Sequence, residues 1–122
     1  MAILGLSALP LMAQASPDSL PTGVTHAMVE RGKVVFTGPG VCFACHGMTA
    51  SGGTGPSLSD STWIHSHGEY DRIVALIVSG VPAKESKTGV IMPPRGGSAI
   101  SDEDLRAVAA YVWSLSRVKG ER

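Results

Sequence analysis

Cys42-Phe43-Ala44-Cys45-His46 is the stretch on which the reading of this chain turns. Two cysteines three positions apart are neighbours on one helical turn. At that spacing their thiols reach the two vinyl groups along one edge of a porphyrin and form thioethers. The adjacent imidazole then projects under the ring, and its nitrogen reaches the iron. C-x-x-C-H is the attachment pattern of a covalently held haem. Two other readings of the same five residues stand beside it. A thiol-redox pair belongs in a βαβ setting, and no strand alternation is visible. A zinc site needs another ligand besides Cys42, Cys45 and His46, and His65 and His67 are the candidates.

Outward from the motif, the chain is modest in size and evenly charged. Its 122 residues fit one domain. Ten basic and ten acidic side chains give zero formal charge, which argues against nucleic acid as a partner. The 15 glycines and 8 prolines predict much loop. Met1 to Ala13 is nearly all apolar or small, and Ala13-Gln14-Ala15 is a small-x-small cleavage site. Residues 1–15 therefore read as a cleaved export signal, although no Lys or Arg precedes Arg31. As an uncleaved anchor they would span roughly 22 Å, short of the ~30 Å of a membrane core. No stable membrane span is expected after cleavage. Residues 16–25, with Pro17 and Pro21, read as a flexible leader, 26–118 as the folded domain and 119–122 as a tail. The expected location is the periplasm or another extracytoplasmic compartment.

Three stretches have helical periodicity. The first, about Ala27 to Thr37, puts Met28, Gly32, Val35 and Phe36 on one face. The second, about Glu69 to Ser79, does the same with Tyr70, Ile73, Val74 and Ile77, and Gly80 and Pro82 stop it. The third follows Ser101 as N-cap, with Asp102, Glu103 and Asp104 at the positive end of the dipole. Leu105, Val108, Ala109, Val112 and Leu115 form its apolar stripe. Thr49–Ser61 and Val81–Ile100 are long Gly/Pro/Ser-rich loops that need a surface to pack on, and a haem supplies one.

The sixth iron ligand has to come from elsewhere in the chain. Met1 and Met12 fall in the signal, Met28 reads as core, and Met48 is too close to His46 to cross to the other face. Met92 remains. Pro93 and Pro94 behind it stiffen the backbone in an extended form, with no helix expected. A gap-filling core role for Met92, or ligation by His65 or His67 instead, stays open. His26 reads as solvated. Gly55-Pro56-Ser57-Leu58 offers the Pro56 carbonyl to the other ring N–H of His46, as iron-bound histidines usually require.

These residues resemble the class I cytochromes c, small all-α electron carriers. The resemblance runs from about Val29 to Ser116. It rests on Cys42-Phe43-Ala44-Cys45-His46-Gly47, Gly55-Pro56-Ser57-Leu58, Ile91-Met92-Pro93-Pro94 and the final Val108-Ala109-Ala110-Tyr111-Val112-Trp113-Ser114-Leu115, in that order. It implies first and last helices that cross closely, with Gly32 and Phe36 facing Val108 and Tyr111, and a middle helix and long loops wrapped around one haem c. It implies His46 and Met92 as axial ligands, Pro56 as the carbonyl on His46, and Trp63 as a contact of a haem propionate. The implied function is electron transfer by an Fe(III)/Fe(II) couple with redox proteins as partners, not catalysis. The stretch from Trp63 to Gly97 is also similar to cytochrome subunits of periplasmic dehydrogenases. A periplasmic dehydrogenase and a respiratory complex are both expected partner types. The family's lysine ring is thin here, with only Lys84, Lys87 and Arg95 near the distal loop. Other readings are a haem-based catalyst or sensor in which Met92 is displaced, and a haem-free zinc or thiol protein.

Overall fold

Among the described residues four α-helices follow one another: α1 (His26–Phe36), α2 (Phe43–His46), α3 (Tyr70–Ser79) and α4 (Asp102–Leu115). A single 3-10 turn occurs at Ala83–Glu85, and Pro94–Gly97 forms a turn with left-handed Arg95 and Gly96. The computed structural model describes Gly5 and residues 19–117. Among these there is no β-strand, only an isolated antiparallel bridge between Val81 and Met92. The all-α expectation holds. The rest of the signal expected at 1–15 and the tail expected at 119–122 lie outside the described residues.

The helix starts follow their local chemistry. Thr25 caps α1, its hydroxyl accepting from the Met28 N–H at 3.1 Å. Ser101 caps α4, its hydroxyl accepting from the Asp104 N–H at 3.1 Å, and three carboxylates sit at the positive end of the helix. Two of them also reach across the fold. Asp104 receives two hydrogen bonds from Arg31 of α1, both 3.0 Å, and Asp102 pairs with Arg95. The acidic run thus both starts a helix and ties two other segments to it.

The most extensive contact in the molecule is α1 against α4. Gly32 lies directly on the α4 backbone. A Cβ there would overlap the Ala107 carbonyl oxygen and stand 2.7 Å from Tyr111 Cβ. Next to it, Phe36 meets Tyr111 edge to face, with centroids 5.3 Å apart. Phe36, Val35, Leu105 and Val108 are fully buried around this crossing, each worth about 1.5–3 kcal/mol of transfer free energy. The crossing implied by the family resemblance is present, with the Ala107 carbonyl rather than Val108 opposite Gly32. α3 packs on α4 as well, burying Ile73 and Ile77.

Two expectations change and one holds. Met28, read as core, is only half-buried; it lies in the first turn of α1, one turn ahead of Gly32 on the same face. Residues 16–25 were expected as a flexible leader, yet Leu20 packs against the core, Val24 is buried and Thr25 caps α1. Apolar side chains at 20 and 24 reach the same core that α1 covers. Pro93–Pro94 was expected to exclude any helix, and Pro93 is extended as predicted, with φ −68° and ψ 154°. The Pro94–Gly97 turn that follows passes through left-handed Arg95 (φ +55°, ψ 26°) and Gly96 (φ +66°, ψ 15°), so no helix forms behind the proline pair, as expected.

Candidate functional site

α2 is one turn long and is the motif itself. Cys42 precedes it, and His46 N–H closes the turn onto the Cys42 carbonyl at 3.0 Å. Both cysteines are free thiols, Cys42 half-buried and Cys45 exposed. Burial pushes the Cys42 thiol above its ordinary range. A reactive redox cysteine needs the opposite shift, so the thiol-redox reading gains nothing here. Val41, just ahead of the motif, is β-branched and has φ +51°. That is a strained conformation for such a residue.

The loop after α2 is stitched back to it by backbone bonds. Gly52 N–H donates to the His46 carbonyl and Gly55 N–H to the Cys45 carbonyl, both at 2.8 Å. This brings Pro56 under the imidazole. His46 is 8 % exposed, and its Nδ1 lies 2.9 Å from the Pro56 carbonyl oxygen. A carbonyl can only accept, so Nδ1 carries the proton and Nε2 keeps its lone pair. The spacing is tight. A Cβ on Gly55 would come 3.0 Å from the ring's Nδ1 and Cε1.

These side chains form part of one large apolar cleft. Phe36 of α1, the motif, the 54–66 loop, α3, the 86–96 segment and Val108 and Val112 of α4 all contribute walls. Its cavity volume is about 230 Å3. Cys42, Cys45, His46, Pro56, Trp63 and Met92 all line it. The long loops therefore do have a common surface to pack around, and it is this cleft. The backbone of Met92 is held by Val81, through N–H to carbonyl bonds of 2.9 and 2.8 Å.

The histidine alternatives separate. His65 lines the cleft and is exposed; His67 does not line it, and its N–H is bonded to Glu69. His26 is exposed, as expected. Among the described residues no three His, Cys, Asp or Glu side chains converge, so the ligand set of the zinc reading is not assembled. Met48 is exposed and away from the cleft. Lys84 and Lys87 are exposed, whereas Arg95 is occupied by Asp102 and the Ile100 carbonyl.

Three residues of the site were not read as such from the sequence. Gly55 lay within a quoted motif, but its closeness to the His46 ring depends on the loop's return. Gly80 was read only as a helix stop. Val41 carries no sequence signal at all, because nothing local announces a left-handed valine.

The donor set and cavity fit a covalent haem: two free thiols at the edge, an imidazole with its lone pair free, and an apolar enclosure. Comparison with known proteins agrees. A family model described as cytochrome c oxidase, cbb3-type, subunit III matches residues 27–112. The cbb3-type cytochrome c oxidase subunit CcoP of Rubrivivax gelatinosus is 38 % identical over 76 residues, 62 % of this chain and 22 % of that protein. Subunit FixPc of Rhizobium leguminosarum bv. viciae is 35 % identical over 82 residues, 66 % of this chain and 28 % of that protein. The chain thus matches only about a quarter of the length of these relatives. No solved structure matches significantly.

Proposed function

We propose that this chain, which belongs to the cytochrome family of cbb3-type oxidase subunit III, is a one-haem electron-transfer domain with His46 and Met92 as its axial ligands. Bound haem c supplies a one-electron Fe(III)/Fe(II) couple. The residues of the chain hold it. Cys42 and Cys45 would hold it through two thioethers, each formed by adding an S–H across a vinyl double bond, which would need no oxidant. His46 offers Nε2 to the iron while its Nδ1–H donates to Pro56. That bond sets the ring's orientation and raises its basicity. Met92 offers a soft, neutral thioether, which favours Fe(II) and raises the potential. Trp63, on the cleft wall, is the proposed propionate contact.

The observation that carries this reading is the Pro56-locked imidazole of His46, beside two free thiols in the cleft that Met92 also lines. The test is a spectrum and a redox titration of protein matured in a cytochrome c-competent host. A single reversible one-electron wave, with the far-red ferric band of thioether ligation, is expected. A high-spin ferric spectrum that takes up cyanide or peroxide at once would favour the catalyst or sensor reading instead.

The names of the relatives favour a respiratory oxidase complex as the electron-transfer partner over a periplasmic dehydrogenase. No helix among the described residues is long and apolar enough to cross a membrane. The proposed location is the periplasmic side, from the export-like residues 1–15 and the attachment motif.

A further inference from the structure

We propose that Gly80, at the end of α3, is a positioning residue for Met92: the backbone approach it permits holds the methionine where the cleft needs it. The inference rests on reading Met92 as an axial ligand. Gly80 has φ +68° and ψ −173°, a region essentially restricted to glycine. A Cβ there would overlap the Met92 carbonyl oxygen and stand 2.8 Å from Pro94 N and 2.9 Å from Pro93 C. All three are backbone atoms, which cannot swing aside as a side chain can. The next residue completes the attachment. Val81 is buried, and its N–H and carbonyl are both bonded to Met92.

The segment leading to Met92 offers no comparable hold. Residues 82–85 and 87–91 are exposed, and their backbone bonds are local, such as Glu85 to Pro82 and Gly89 to Ser86. Met92 is therefore placed by the α3 terminus behind it rather than by its own loop. α3 in turn packs on α4, and its Ile73, Leu76 and Ile77 line the same cleft. Cleft wall and methionine belong to one packed unit. A neutral thioether is a weak ligand, and holding it in place in advance removes the entropy cost of bringing it to the iron.

The test compares Gly80→Ala with Gly89→Ala in the full haem-loaded chain. Gly89 lies on the same segment with φ +74° but has nothing within 4 Å. It shares the positive φ of Gly80 and lacks the contact. Gly80→Ala is expected to weaken the thioether band and to tighten ferrous CO binding by about tenfold or more, since CO reads the fraction with sulfur off the iron. Gly89→Ala should match the parent in both. Equal behaviour of the two variants overturns the proposal. Met92→Ala separates the two levels. If it leaves band and CO binding unchanged, the ligand reading fails and this inference with it. If it changes both while Gly80→Ala changes neither, only this inference fails. Should Gly80→Ala not fold, amide exchange in the parent decides. Val81 and Met92 amides protected well beyond those of 87–91 support the proposal, and equal exchange overturns it.

Discussion

The imidazole of His46 and the carbonyl of Pro56, ten residues apart in the chain, are joined by a 2.9 Å hydrogen bond. Gly55 makes that approach possible, because its missing Cβ would sit 3.0 Å from the ring. Gly55→Ala should therefore tilt the imidazole and stretch this bond while leaving the α1–α4 crossing intact. A shifted reduction potential and altered His46 ring-proton resonances, at a far-UV spectrum like the parent's, are the expected result. An unchanged potential would show that the loop absorbs the methyl.

Covalent attachment is checked on denatured protein. Haem should stay with the polypeptide through acid–acetone extraction, and neither Cys42 nor Cys45 should react with a thiol reagent. Cys45→Ala should leave a single thioether with Cys42 and a shifted ferrous absorption maximum. Recovery of two free thiols from correctly matured protein contradicts the assignment.

Met92→Ala removes the soft ligand. The potential should fall, and CO or cyanide should bind readily to a protein whose parent binds them poorly. His65, the other candidate on the cleft wall, is the internal comparison, and His65→Ala should leave ligand binding and potential near the parent's.

Gly32→Ala tests the helix crossing through its sign. On an exposed helix the change should stabilise by about 1 kcal/mol. Here the methyl would overlap the Ala107 carbonyl and press on Tyr111, and overpacking typically costs ~1–3 kcal/mol. Denaturant unfolding followed at the haem band should show a lower midpoint. A higher one would place Gly32 on a solvent face.

The Arg31–Asp104 pair predicts a pH and salt dependence. The hydrogen bond from Arg31 holds the Asp104 carboxyl below the usual aspartate range. A carboxylate with a lowered folded-state pKa stabilises at neutral pH, and that stability is lost as pH falls through the lowered value. Arg31→Ala should thus narrow its stability gap to the parent in acid. The pair is partly exposed, so added salt should shrink the gap at neutral pH too.

Local chemistry was enough for much of this protein. Cys42, Cys45 and His46 announce the cofactor because two thiols and an imidazole act within one helical turn. The start of α4 follows from a cap, an apolar stripe and a dipole, all within a few residues of each other. What only the tertiary structure decided are the non-local approaches. Residue order does not say that Gly32 would meet the Ala107 carbonyl, that Gly55 lies against the imidazole, or that Gly80 carries the backbone of Met92. Nor does it say that Leu20 and Val24 reach the core while Met28 stays half-buried. Caps and stripes are written in neighbours along the chain. A close backbone contact is written in the absence of a side chain, and an absent side chain does not name the segment it admits.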